Sequence, residues 1–234
     1  MLSQPYGIAY HAGNLYVTNS SAYSVTVYPA GAGRRPNPIV TISGENTELA
    51  IPQGIAVDSA GNIYVANQGV VNSEPASVTI YRAGDKGDVA PIGRISGLKT
   101  RLESPNALAL DSHGYIYVVN ESDSPKKPDR ITIYAPGSNG DAAPVRVIAG
   151  PATLLSHPGG VAVDSNGNLF VTSSQNEGPV LLQRSSTGLC ARRLRQYRFN
   201  RVDRRRLREA YHAERDRARF QWKCLRHEPR CSRP

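Results

Sequence analysis

Three aspartates stand at equivalent places in a repeated segment of this chain, and such carboxylates can bind divalent cations or transfer protons. Each is followed three residues later by a glycine, in the pairs Asp58 and Gly61, Asp111 and Gly114, and Asp164 and Gly167. An aspartate that accepts backbone N–H groups and a glycine with positive φ together make a tight turn. One turn per repeat would place the carboxylates too far apart to share an ion. We therefore interpret these residues as structural and predict no metal site among them.

A second group of metal-ligand residue types lies near the C-terminus, where Cys224, His227 and Cys231 are close in sequence and Cys190 is distant. Their spacing differs from the paired spacings of zinc sites. No arrangement of nucleophile, base and orienting acid recurs in register along the chain. We therefore predict no catalytic residue, no bound metal and no cofactor.

The elements that would position any site come from a repeat. The segment P-Q-G-I-A-V-D-S-A-G-N-I-Y-V-A-N, residues 52–67, has counterparts beginning at Pro5, Pro105 and Pro158. The four starts are separated by 47, 53 and 53 residues. An interval of this size, filled with short strands, is typical of a propeller, in which each repeat is one blade.

Each repeat predicts four antiparallel strands. The repeated segment itself predicts a hairpin, residues 77–81 (S-V-T-I-Y) predict a third strand, and residues 92–97 (I-G-R-I-S-G) predict the fourth. Apolar residues on both faces predict sheets that are buried between neighbours, as blades are. A β-solenoid is the alternative, but its units are usually shorter than this interval.

We predict an all-β, incomplete propeller of three blades and part of a fourth, at residues 5–44, 52–97, 105–150 and 158–182. The repeat stops near Leu182, where L-L-Q-R-S-S-T-G replaces the expected tyrosine strand. Our hypothesis is that the chain is a fragment of a larger propeller. Residues 183–234 would then be a frameshifted or fused tail, arginine-rich and either partly helical or disordered.

The motif P-x-G-I-A-V-D-x-x-G-N-I-Y-V-A-N, followed by a Val/Ile–Tyr strand, resembles the NHL-repeat β-propellers and, more loosely, the lactonase-like six-bladed propellers. The resemblance covers about the first three quarters of the chain. Asn67 and Asn120 stand where the usual NHL pattern ends the strand with aspartate. The resemblance implies a propeller fold. The activities known for these propeller families include ligand binding, RNA binding and metal-dependent lactone hydrolysis.

The antiparallel order predicts which loops share a face. The connection between the second and third strands, whose length varies, emerges where the first strand begins, at the mouth of the central channel. We predict a binding face there for polar or peptide ligands, because amide and aromatic side chains suit them. The candidate residues are Tyr6, Asn19, Gln53, Asn67, Asn106, Asn120 and His157. The alternative, that the asparagines only cap strand ends, stays open.

Charge divides the chain sharply. Residues 1–182 carry 11 basic and 14 acidic residues, whereas residues 183–234 carry 17 and 5. The mildly acidic repeats argue against RNA binding by the propeller itself, since phosphate contacts need a basic surface. Nucleic-acid binding through the basic tail remains an alternative function.

We predict a noncatalytic binding or scaffold module whose partner is a protein or a small polar ligand at the channel-mouth face. The alternative is a lactonase-like metal-dependent hydrolase. Missing blades would leave unpaired blade faces, which favours self-association. No secretory signal and no apolar run of membrane-spanning length are present in this sequence, and the compartment is left open.

Overall fold

The structure is a computed structural model that describes residues 2–33, 36–70, 72–122, 124, 127–173, 180–185 and 188–193. In the last two ranges the description covers the backbone and the side chain of Leu182. The predicted basic tail beyond residue 193, with its helix and its Cys224–His227–Cys231 cluster, lies outside the described residues.

The described chain forms sixteen strands in four groups of four. The first blade contains β1 (Pro5–His11), β2 (Asn14–Asn19), β3 (Ser24–Pro29) and β4 (Val40–Ser43). The second contains β5 (Pro52–Val57), β6 (Ile63–Asn67), β7 (Ser77–Tyr81) and β8 (Gly93–Ser96). The third contains β9 (Pro105–Leu110), β10 (Ile116–Asn120), β11 (Arg130–Tyr134) and β12 (Arg146–Ala149). The fourth contains β13 (Pro158–Val163), β14 (Leu169–Ser173), β15 (Val180–Ser185) and β16 (Gly188–Arg193).

Every blade is an antiparallel sheet whose strands pair in sequence order. The first strands of the blades, β1, β5, β9 and β13, lie side by side in that order and form the inner wall. A short 3-10 helix follows each of the first three blades, at Glu45–Thr47, Leu98–Thr100 and Pro151–Thr153. The predicted all-β propeller of four-stranded blades is confirmed.

Apolar layers between successive blades hold the sheets together. Between the first and second blades, Val25 and Ile42 pack with Ile55, Ile63 and Val65 of the next sheet. Equivalent layers join the second blade to the third and the third to the fourth. Strands of the second and third blades are therefore buried on both faces, which explains their nearly continuous apolar sequence. This burial is the main favourable free energy of the fold.

The fourth sheet continues past Leu182, the residue at which the repeat pattern ends. Leu169 pairs with Leu182, and β15 pairs with β16 from Val180↔Arg193 to Ser185↔Gly188. Strand pairing joins main-chain groups and does not require the tyrosine that the earlier repeats carry. The partial blade expected over residues 158–182 thus gains a fourth strand from a sequence that does not match the repeat.

An irregularity recurs at the start of every inner strand. The register shifts between Pro5 and Ile8, between Pro52 and Ile55, beside Asn106, and between Pro158 and Gly160. Such a β-bulge inserts an extra residue and changes the direction of side chains beside it. Within the described residues, no helix is both long enough and apolar enough to cross a membrane.

Candidate binding face at the channel mouth

The strand register brings the predicted binding residues to one end of the blades. Pro5 pairs with Asn19, Pro52 with Asn67, and Pro105 with Asn120. The start of each inner strand therefore lies beside the end of the second strand. The aspartate turns connect these same two strands at their other end, so they lie on the opposite face.

The bulges place one residue of each inner strand at this mouth, and in three blades it carries a side chain. The first residues of the four bulges are Tyr6, Gln53, Asn106 and Gly159. The residue before each proline also has an unusual backbone, with φ of 47° at Gln4, 50° at Ile51, 40° at Ser104 and 46° at His157. Positive φ is unfavourable for these side chains, and for β-branched Ile51 most of all. The backbone of the mouth is therefore held by its surroundings.

The three strand-end asparagines are fully engaged by the protein. Asn67 is buried, and its Nδ2 donates to Thr79 Oγ1 at 3.0 Å and to Val65 O at 3.2 Å. Its Oδ1 accepts the backbone N–H of Ala50 at 3.2 Å. Asn120 and Asn19 are equally buried and make equivalent bonds. The geometry favours the alternative in which these amides fasten strand ends and leave no group for a ligand.

Gln53 differs from these asparagines because half of its amide is unpaired. The side chain is buried, and Nε2 reaches Ser20 Oγ at a long 3.5 Å. Oε1 is buried without a hydrogen-bond partner among the described residues. A buried acceptor without a donor has a free-energy cost of about 1–3 kcal/mol. A donor supplied by a ligand would remove that cost.

Asn106 lies on the neighbouring inner strand and makes a charge-assisted hydrogen bond. Its Nδ2 donates to Glu121 Oε2 at 2.6 Å, and His157 Nε2 lies 3.8 Å from Glu121 Oε1. The backbone N–H of His157 donates to Asp129 Oδ2 at 2.8 Å. The mouth therefore contains a carboxylate in contact with an amide and an imidazole.

Glu121 was not predicted as a site residue from the sequence. It follows Asn120 directly, in the variable connection between the second and third strands, and no other repeat has a glutamate there. Its position after a predicted mouth residue was the available signal.

Tyr6 completes the face with a half-exposed aromatic ring. Its pKa is raised above the ordinary value, first by partial burial and second by the negative charge of Glu121. The mouth thus offers an aromatic surface, a carboxylate and a buried acceptor.

The aspartates of the opposite face accept hydrogen bonds from the residues of their own turns. Asp58 Oδ1 accepts the backbone N–H groups of Ala60 and Asn62 at 2.9 and 2.8 Å, and Oδ2 accepts Asn62 Nδ2 at 2.9 Å. Asp111 and Asp164 accept equivalent backbone bonds. Gly61, Gly114 and Gly167 have φ of 88°, 81° and 77°. In the described part of the chain, no group of three or more His, Cys, Asp or Glu residues could hold a metal ion.

Comparisons with known proteins identify the fold. A family model for a β-propeller repeat matches residues 42–66. A protein of unknown function from Bacteroides caccae superposes with a TM-score of 0.55 at 15% identity, over 82% of this chain and 60% of its own. A structure of a nidogen–laminin complex gives 0.53 at 20% identity, over 80% and 62%. A periplasmic gluconolactonase from Pseudomonas aeruginosa gives 0.53 at 16% identity, over 83% and 59%.

These similarities support a β-propeller that is loosely NHL-like and lactonase-like, as the motif predicted. At such identities the likeness concerns the fold, which hosts many functions. The chain spans about 60% of the length of these solved structures. No curated protein sequence matches it.

Proposed function

We propose that this β-propeller is a noncatalytic binding module that takes a polar, donor-rich ligand at the channel mouth. The observation that carries the proposal is Gln53 Oε1, a buried acceptor without a partner in the described part of the chain. Buried polar atoms in folded proteins are nearly always hydrogen-bonded. An unpaired one that lies at a channel mouth is suited to a ligand N–H or O–H group.

The groups around Gln53 also contribute to recognition of the proposed ligand. Glu121 is partly exposed and adds a negative charge that attracts donors, and Tyr6 supplies an exposed ring face. These groups suit an amine or a hydroxyl-bearing ligand better than an anion. A few convergent polar groups beside an aromatic surface are typical of small-ligand sites.

The mouth residues do not fit a metal-dependent hydrolase. Such a centre needs several oxygen ligands that converge on one ion. Glu121 Oε2 is already bonded to Asn106 Nδ2, and His157 Nε2 lies 3.8 Å from its other carboxylate oxygen, Oε1. No third carboxylate or imidazole joins them among the described residues. We therefore derive no reaction from a bound metal.

The experiment is a titration of the isotopically labelled full chain, followed by ¹H–¹⁵N NMR. The probes are glucose, as a polyol, and the capped tripeptide acetyl-Gly-Lys-Gly-amide, as an amine. At least one probe should shift the side-chain amide signals of Gln53 and Asn106. Gln53→Leu keeps the buried volume but removes the acceptor, so it should weaken binding about tenfold while leaving the protein at least as stable.

The matched control is Ser59→Ala, an exposed residue of the aspartate-turn face. It should leave binding unchanged. Unaltered affinity in Gln53→Leu, or shifts confined to the aspartate-turn face, would refute the proposed site. Hydrolysis of δ-gluconolactone that depends on added Ca²⁺ would refute the noncatalytic function.

The basic tail leaves one alternative function to be tested separately. Residues 183–234 carry most of the positive charge of the chain, and charge alone binds nucleic acid. Retention of single-stranded RNA by the full chain, lost at high salt and unaffected by Gln53→Leu, would assign nucleic-acid binding to the tail and not to the mouth.

A further inference from the structure

A Gly-Asp turn bridges each of the first two blades to the next one. Gly87, in the connection between β7 and β8, donates its N–H to Thr41 O at 2.7 Å and accepts the N–H of Ser43 at 3.1 Å. Gly140 of the third blade does the same with Arg94 O, at 2.7 Å, and Ser96 N, at 3.0 Å. Both contacts are parallel bridges that add a strand-like segment to the outer edge of the preceding sheet.

The aspartate after each of these glycines is held by a backbone hydrogen bond from the helix after the preceding blade. Asp88 Oδ1 accepts the N–H of Asn46 at 2.8 Å, and Asp141 Oδ1 accepts that of Lys99 at 2.7 Å. Both N–H groups lie in the short 3-10 helix that follows the edge strand. A Cβ atom added to Gly44 would lie 2.3 Å from the side chain of Asp88. Gly44 and Gly97, which follow the last strands of the first and second blades, therefore leave room for a carboxylate.

The outer edge of the third blade has the same backbone arrangement, but no described Gly-Asp turn is bound to it. Val147 pairs with Thr132, and Ala149 with Arg130, which gives them the places of Thr41 and Ser43 in the first blade. In the described part of the chain, Val147 O, Ala149 N and Ala152 N have no hydrogen-bond partner. No described atom lies within 4 Å of a Cβ atom built on Gly150, whose φ is 101°.

The fourth blade has no Gly-Asp turn to place there. Its β15 and β16 are joined by residues 186–187 alone, whereas residues 135–145 form the corresponding connection of the third blade. No Gly-Asp dipeptide occurs after Leu182. The backbone of β16 lies near the helix Pro151–Thr153, but β16 contains no Gly-Asp turn.

An open cleft of about 520 Å³ lies between these two blades. Val145, Arg146 and Ile148 of the third blade line it, together with residues of the Asp111 and Asp164 turns. The Arg146 side chain is exposed and forms no ion pair among the described residues. Its positive charge suits an acidic ligand.

We propose that residues 147–152 are a docking site for an extended Gly-Asp segment of a partner polypeptide. The glycine adds in parallel to the edge of β12, through Val147 O and Ala149 N, and the aspartate binds Ala152 N beside Gly150. Strand addition of this kind draws affinity from main-chain bonds and specificity from a side chain. The two occupied edges in the same chain define the chemistry of the occupant.

The test is fluorescence anisotropy of a dye-labelled peptide with the sequence of residues 137–144, Gly-Ser-Asn-Gly-Asp-Ala-Ala-Pro, added to the full chain. Saturable binding is expected. A peptide with Asp141→Asn loses the charge-assisted bond and should bind about fivefold more weakly. In the protein, Ala149→Pro removes the N–H that the glycine carbonyl needs and should abolish binding.

Ala149→Ser is the matched control, because it keeps this N–H and introduces the residue that Ser43 and Ser96 provide in the other blades. Proline is tolerated on an edge strand whose N–H faces outward. Circular dichroism and thermal unfolding check that Ala149→Pro still folds, and the peptide variant tests the site in the unaltered protein.

Absent saturation, or equal binding of the Asp and Asn peptides, would overturn the proposal. So would full binding by Ala149→Pro. A dimer in sedimentation that Ala149→Pro dissociates, with no peptide binding, would assign the edge to a second copy of this chain and would also overturn it.

Discussion

At the scale of single residues, one carboxylate organises the hairpin turn of the second, third and fourth blades. Asp164 Oδ1 accepts the backbone N–H groups of Asn166 and Asn168 at 2.9 and 2.8 Å, and Oδ2 accepts Asn168 Nδ2 at 2.8 Å. These bonds favour the ionised form, so they hold the pKa of Asp164 below its ordinary value, with the Asn168 side chain as the largest cause. A depressed pKa means that this carboxylate stabilises the fold above the ordinary carboxyl pKa. The contribution is lost as pH falls through the depressed value.

Asn168→Ala should therefore raise the pKa of Asp164 toward its ordinary value. The measurement is a ¹³C NMR titration of the side-chain carboxyl group. Asn166→Ala is the control, since Asn166 bonds to Asp164 through its backbone N–H and keeps that bond after truncation. An equal effect of both variants would contradict a specific role for the Asn168 amide.

At the scale of elements, a tyrosine on the third strand fastens the second and third blades to the 3-10 helix that follows the preceding blade. Tyr81 Oη donates to Thr47 O at 2.5 Å, and Tyr134 Oη donates to Thr100 O at 2.6 Å. Both side chains are fully buried. Burial raises the pKa of Tyr134 to about 12. The neutral phenol is thus favoured, and its contribution to stability declines as pH rises from about 10 toward that value.

Tyr134→Phe should lower the free energy of unfolding by about 1–2 kcal/mol, because the buried Thr100 carbonyl loses its donor. Urea unfolding of the full chain measures the change. Tyr28→Phe is the matched control: Tyr28 occupies the same position in the first blade, and its hydroxyl has no hydrogen-bond partner among the described residues. Tyr28→Phe should stay within about 0.5 kcal/mol. Equal losses of unfolding free energy in the two variants would show that the hydrogen bond from Tyr134 Oη to Thr100 O contributes nothing to stability.

At the scale of the whole molecule, the first and fourth blades each present a face that no described blade covers. Ile8 and Tyr10 of β1 are 65% and 67% exposed, and Phe170 of β14 is 38% exposed. Apolar residues that share one face of a strand form a contiguous patch, which favours association. The self-association expected from the repeat count remains a prediction.

The double substitution Ile8→Ser, Tyr10→Ser should lower self-association of the full chain. Sedimentation velocity over a range of protein concentrations measures it, and the wild type should sediment faster as concentration rises. Leu98→Ser is the control, because Leu98 is 98% exposed in the 3-10 helix Leu98–Thr100 and belongs to no such face. A wild type that remains monomeric throughout would contradict the prediction.

A structural feature could be predicted from the sequence when it recurs in several of the repeats, and not when it occurs in one blade alone. The four hairpins and the third and fourth strands of the first three blades follow from spacing, because buried sheets impose one apolar pattern on every copy. β16 was not predicted, since main-chain pairing leaves little trace in a sequence without the motif. Glu121 was missed because it lies in a connection that differs between blades. The unpaired state of Gln53 Oε1 depends on its neighbours in space, which spacing alone does not determine.

The bulge at the start of each inner strand has a consequence for how recognition changes over evolution. Tyr6, Gln53, Asn106 and Gly159 occupy the same bulged place, yet they are an aromatic residue, two amides and a glycine. The first and second strands of the four blades pair alike on both sides of this residue although its side chain differs, so their pairing does not depend on that side chain. The four blades can therefore diverge at this one position while the scaffold stays unchanged. A library randomised at the exposed Tyr6 and Gly159 would explore new specificities with less risk to folding than one that replaces the buried Gln53 and Asn106.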